Sequence, residues 1–158
     1  MPWPIVRRCM TRIAIDTSLL IGLLDPKDVW HRQALAVKRE LQARGADVAV
    51  FYCVLSEAIS TLARRTHEQR RTADLERLVS CILIDYPTDD ILWVLPDVPA
   101  LYAEIIELVR STGGELNFHD ALIALSCRCR EIPLIASFDR DFDRVPWLKR
   151  VAQPDDLG

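Results

Sequence analysis

Short apolar runs alternate with longer stretches of helical spacing along this chain. Residues 13–16, Ile-Ala-Ile-Asp, are a compact run that ends in Asp-Thr-Ser, the pattern of a buried strand entering a turn. Residues 19–24 predict a short helix stopped by Asp25-Pro26. Over 29–44, Trp30, Ala34, Val37 and Leu41 recur on one helical face, and Gly45 follows the last turn. Residues 47–52 predict a second strand, 56–71 a helix with a basic far end, and 75–84 a further helix. A short strand over 91–95 is closed by Pro96, a helix over 98–111 ends at Gly113-Gly114, and Asn117 caps a helix that runs to Arg130. Residues 134–137 predict another buried strand, and Val151 begins a last edge strand cut off by Pro154.

Strands that alternate with helices imply an α/β fold with a mainly parallel sheet covered on both faces. The 158 residues fit about one domain. We place that domain at 12–153, with 1–11 as an N-terminal extension, for which disorder is one expectation, and 154–158 as a C-terminal tail. Met10 is a second candidate translation start.

Composition narrows the class. No apolar run approaches the ~18 residues of a membrane span, and the N-terminus is a poor secretory signal. The expectation is a soluble cytoplasmic protein. Five cysteines at scattered spacing make neither a disulfide framework nor a zinc site, and Cys53 and Cys81 read as small core residues. The net charge of −3 argues mildly against a surface that binds nucleic acid everywhere, but local patches decide binding. Neither GxGxxG nor GxxxxGK[ST] occurs, which disfavours nucleotide-binding Rossmann and P-loop enzymes.

The acidic residues carry more information. Asp16 ends the first strand, and Asp139 follows the strand at 134–137. Glu57 is expected in the first turn of the helix after the second strand, and Asp120 in the first turn of the helix capped by Asn117. In a parallel α/β sheet the carboxyl ends of strands and the starts of the following helices share one edge, where such sheets place their sites. Four ionised carboxylates there repel one another unless some protonate or a cation neutralises them. Oxygen ligands of this kind suit Mg²⁺ or Mn²⁺, and a hydrated divalent ion among carboxylates suits phosphoryl transfer. Taken singly, each acid is better read as a helix cap or dipole partner; the coincidence of four shifts the balance.

Four segments, IAIDTSLLIGLL around Asp16, VLSEAISTLARR around Glu57, LNFHDALIALSCR around Asp120 and LIASFDRDFDRV around Asp139, together resemble the PIN-domain family. Within it they resemble the VapC-type toxins of bacterial and archaeal toxin–antitoxin systems. The resemblance runs from Ile13 to about Val151 and implies a three-layer α/β/α fold. It also implies Mg²⁺- or Mn²⁺-dependent endoribonuclease activity, homodimers and a small antitoxin partner. The family's acids match Asp16, Glu57, Asp120 and Asp139, and Asp141 matches a further acid that binds metal through water. Ser137 stands where the family often has Thr, and Ser18 where it often has Asn; both keep a hydroxyl that can hold an acid or a metal-bound water.

On this reading Asp16, Asp120 and Asp139 bind the metal directly, and Glu57 binds a metal water or a second metal. Arg64, Arg65, Arg70 and Arg71 are candidates to hold RNA phosphates, weighed against a solvated mixed-charge face. His119 reads as a helix-start surface residue rather than a proton donor. Trp30 reads as core or interface, and Trp93 and Trp147 as packing residues. One alternative is a catalytically inert PIN-like protein that binds nucleic acid or a partner; four retained acids speak against it. Another is a phosphatase of the haloacid dehalogenase type, which needs an Asp two residues after the first acid, where Ser18 stands here.

Overall fold

The computed structural model describes residues 10–158, so the expected extension falls almost wholly outside the described residues. Five strands form one sheet: β1 (Arg12–Ile15), β2 (Asp47–Phe51), β3 (Ile91–Leu92), β4 (Leu134–Ala136) and β5 (Lys149–Val151). Every pairing is parallel and the order is β3-β2-β1-β4-β5. The strands are short apolar runs because a parallel sheet is buried on both faces. Ile13, Ala14, Phe51, Ile135, Ala136 and Val151 are fully buried.

The helices are α1 (Thr17–Leu24), α2 (His31–Ala43), α3 (Tyr52–Glu68), α4 (Thr72–Asp85), α5 (Val98–Ser111) and α6 (Phe118–Cys129). From β1 to β3 the chain moves one way across the sheet, and from β3 to β5 it moves back past β1. Right-handed crossovers then put α1–α4 on one face and α5–α6 on the other. The packing agrees: α1 lies against α2 and α3, α3 against α4, and α5 against α6. The expected three-layer α/β/α fold is thus observed, with an all-parallel sheet. Gly22 lets α1 and α2 approach closely, since a Cβ there would stand 3.0 Å from Ala34 Cβ.

Three boundaries differ from expectation. Helix α3 begins at Tyr52, directly on β2, so Glu57 lies in its second turn rather than its first. Strand β3 stops at Leu92, and a 3₁₀ turn takes over at Leu95–Asp97. Strand β5 starts at Lys149, and residues 154–157 form a 3₁₀ turn. Among the described residues no helix is long and apolar enough to cross a membrane.

Candidate active site at the carboxyl edge of the sheet

Strand order reverses between β1 and β4, so the loops after these two strands part to opposite faces and leave a crevice. Asp16 sits at the end of β1 with its N–H donated to the Ala136 carbonyl at 3.0 Å. It is the N-cap of α1 and is only 5 % exposed. Its Oδ2 accepts from Ser137 Oγ at 2.8 Å and from Ser18 Oγ at 2.9 Å. The two hydroxyls are 3.3 Å apart and reach onward. Ser18 Oγ accepts from the Phe138 N–H at 3.0 Å, and Ser137 Oγ from the Asp139 N–H at 2.9 Å. The serines therefore tie the two strand ends together and aim two acids from one network.

Asp120 arrives from the other layer. It is the third residue of α6 and forms a capping box with Asn117: Asp120 N–H donates to Asn117 Oδ1 at 3.0 Å, and Asn117 N–H donates to Asp120 Oδ2 at 3.2 Å. It is 7 % exposed. Glu57 comes from α3, half-buried, and its Oε2 accepts from Thr17 Oγ1 at 3.1 Å. Asp139 caps the following 3₁₀ turn, where its Oδ1 accepts from the Asp141 N–H at 2.9 Å. In all four, the hydrogen bonds fall on one carboxylate oxygen.

Electrostatics shows that these acids feel one another. Burial pushes the Asp120 carboxyl up to about 7, and the charges of Asp16, Asp139 and Glu57 push it the same way against the Asn117 bond. Burial raises Asp16 too, against its serine bonds. Asp141 is raised by partial burial and by Asp139 and Glu115. Among the described residues, none of the four acids forms an ion pair with an arginine, lysine or histidine. Asp25, just as buried, takes Arg71 at 2.9 Å. The chain thus pairs one buried aspartate with arginine and leaves Asp16 and Asp120 among further acids, an arrangement that either protonation or a cation can relieve.

Among the described residues no three carboxylate, imidazole or thiolate groups already close around a point that could hold an ion. Asp16, Asp139 and Glu57 each act on Asp120 through their charge, so the acids share an electrostatic neighbourhood without forming a cage. The donor set still fits Mg²⁺ or Mn²⁺: hard oxygens only, and few of them, for ions that keep several waters.

A sign follows for stability. Asp120 is held above its ordinary 3.8, so its contribution to metal-free stability is whole below about pH 4 and lost as pH rises through about 7. Relative to Asp120→Asn, the metal-free wild type is expected to melt at falling temperature between about pH 5 and 8. Added Mn²⁺ should reverse the decline, because a bound cation replaces the proton. Thermal melts with and without chelator check this; a pH-independent difference between the two proteins contradicts it.

The basic candidates divide. Arg64 and Arg70 are exposed. Arg65 Nη1 donates to Asp28 Oδ2 at 2.8 Å. Arg71 is a correction: its side chain is 11 % exposed and committed to Asp25 and Asp74, so it presents no free guanidinium to a phosphate. Trp30, expected as core or interface, is 42 % exposed beside the site and stacks on Phe138. Trp93 is also largely exposed, Trp147 packs beneath Arg128, and Cys81 is only half-buried. His119 is exposed at the start of α6. Thr17, which bonds Glu57 on α3, is not among the residues singled out in the sequence; its place directly after Asp16 is the available signal.

The PIN domain family model matches residues 13–148, which spans all four acids. The chain belongs to the PIN-domain family. Its fold is also similar to the crystal structure of VapC20 of Mycobacterium tuberculosis, described as a sarcin–ricin loop cleaving toxin. Identity is 26 % and the TM-score 0.65, over 85 % of this chain and 95 % of that one. Together these place the chain with the VapC-type members of the PIN family. No curated protein matches the sequence.

Proposed function

We propose that this PIN-domain chain is a divalent-metal-dependent endoribonuclease and the toxin of a type II toxin–antitoxin pair. The observation that carries the proposal is the set of four acids from four distant segments, electrostatically coupled and, among the described residues, in no ion pair with a basic side chain. Asp16, Asp120 and Asp139 would hold Mg²⁺ or Mn²⁺, with Glu57 and Asp141 reaching it through water. When bound, the ion supplies an acidified water and neutralises charge at the phosphoryl oxygens. Ser18 and Ser137 hold Asp16 in one rotamer, and Thr17 does the same for Glu57, so both carboxylates are aimed before substrate arrives. Glu57, with its second oxygen free of these bonds, orients the attacking water. Arg64 and Arg70 remain to steer the phosphate backbone.

The toxin role rests on the likeness to VapC20. Exposed Tyr102 and Ile106, one turn apart on α5, offer a face to a second copy, which supports a homodimer checked by sedimentation equilibrium. The antitoxin is checked by looking for a short reading frame next to this one and co-expressing its product with the chain.

The activity is tested by offering an RNA oligonucleotide, the same sequence as DNA, and a phosphate monoester, each with Mg²⁺, Mn²⁺ or chelator. RNA alone should be cut, and only with a metal. Cleavage that persists in chelator overturns the metal assignment. RNA left intact under every metal favours a binding protein instead, and hydrolysis of the monoester favours a phosphatase.

A further inference from the structure

The segment between α1 and α2 is clamped from both ends. Arg71 holds Asp25 through Nη1 at 3.2 Å and Nη2 at 2.9 Å, and Arg65 holds Asp28 at 2.8 Å. Asp28 Oδ1 in turn accepts the Trp30 N–H at 2.9 Å, and the Asp28 carbonyl accepts the His31 N–H at 3.1 Å. His31 Nδ1 lies 2.7 Å from the Gly22 carbonyl, to which it donates, and a Cβ on Gly22 would sit 3.5 Å from Trp30 Cβ. Two of the arginines expected to touch RNA thus fix the backbone that carries Trp30.

What this clamp presents is a flat aromatic surface at the acidic rim. The Trp30 ring stacks on Phe138 with centroids 4.8 Å apart and planes 16° from parallel. Phe138 lies between Ser137, which donates to Asp16, and Asp139 itself. Trp93 and Trp147 each satisfy the indole N–H on a backbone carbonyl, whereas among the described residues the Trp30 indole N–H has no such acceptor. An indole held this firmly yet 42 % exposed is a preorganised surface whose ordering cost is already met.

We infer that the Trp30–Phe138 stack is the platform on which an unpaired nucleobase beside the scissile phosphate is held. This rests on the ribonuclease reading above. Bases stack on aromatic rings largely irrespective of sequence, and a base inside a duplex has both faces occupied by its neighbours.

The test reads binding apart from cleavage, in the full chain carrying Asp120→Asn with Mg²⁺ present. Trp30→Ala should weaken binding of a fluorescent single-stranded RNA about tenfold and leave binding of the matching duplex unchanged. Trp30→Phe should retain most of the affinity. The single strand should quench tryptophan emission when Trp30 is present and not in Trp30→Phe. In the active chain, Trp30→Ala should raise KM more than it lowers kcat. Equal binding with and without the indole, or equal losses on strand and duplex, overturns the platform while leaving the ribonuclease reading intact. Binding that follows Trp30 in a chain that cuts no RNA under any metal supports the platform and overturns the ribonuclease reading.

Discussion

Asp120→Asn should lower RNA cleavage by about 100-fold or more while making the metal-free chain harder to melt at alkaline pH. Groups that merely support a metal ligand from outside already contribute about 10–100-fold. A carboxylate that would itself face the ion, as proposed for Asp120, lies at or beyond the upper end of that range. The stability change runs the other way because burial first, and repulsion from Asp16, Asp139 and Glu57 after it, hold the Asp120 carboxyl up at about 7, so its ionised form is costly. Replacing it with a neutral amide of the same shape removes that repulsion and keeps an oxygen for the Asn117 N–H. Wild type should gain melting temperature with Mn²⁺, and the variant should gain little. Activity and metal-free stability moving in opposite directions is the mark of a residue retained for chemistry. A variant that cuts at the wild-type rate contradicts the assignment.

The second large effect is expected at Arg71. The Asp25 side chain is 3 % exposed and that of Arg71 is 11 %. Burial alone would raise the Asp25 carboxyl, but the Arg71 bonds and charge outweigh it and hold it below its ordinary value. Removing one partner of a buried pair leaves the other charge uncompensated, at a cost of about 3–5 kcal/mol. For a domain of this size, Arg71→Ala should lower Tm by roughly 6–20 °C. The sign with pH is the reverse of that at Asp120. A lowered carboxylate stabilises above its unfolded pKa of 3.8 and loses that contribution as pH falls through its folded value. The penalty should therefore be full at neutral pH and shrink in acid. Arg71→Lys should restore only part of it, because one ammonium cannot match the two guanidinium contacts on Asp25 and a third on Asp74. Equal melting of wild type and Arg71→Ala at pH 7 contradicts this account.

Different parts of the molecule were legible in the sequence for different physical reasons. Strands β1 and β4 were plain because central parallel strands are uninterrupted apolar runs, and the acids at their ends mark the site through topology alone. Asn117 announced α6 and so placed Asp120 within its first turn. The start of α3 was hidden, because Tyr52, Cys53 and Val54 favour a strand and no side chain caps the helix at Phe51. Lys149 and Arg150 disguised β5, an edge strand whose charged residues face outward or pair with Asp143. Trp30 fell on a helical spacing, yet α2 begins one residue later, so the indole escapes the buried face and meets Phe138 instead. Arg71 belonged to a visible basic cluster, but its partner lies 46 residues upstream, a distance at which charge pattern carries no information. Pairings of that kind exist only in the folded molecule.

The central claim is that side chains from four separate segments hold a divalent ion at the carboxyl edge of the sheet. A crystal grown with Mn²⁺ tests it through the anomalous signal of the metal. An ion bound between Asp16 and Asp120, with Asp139 or Glu57 within reach directly or through water, is the result predicted. A chain that cleaves RNA in Mn²⁺ while its crystals carry no anomalous peak among these acids would contradict it.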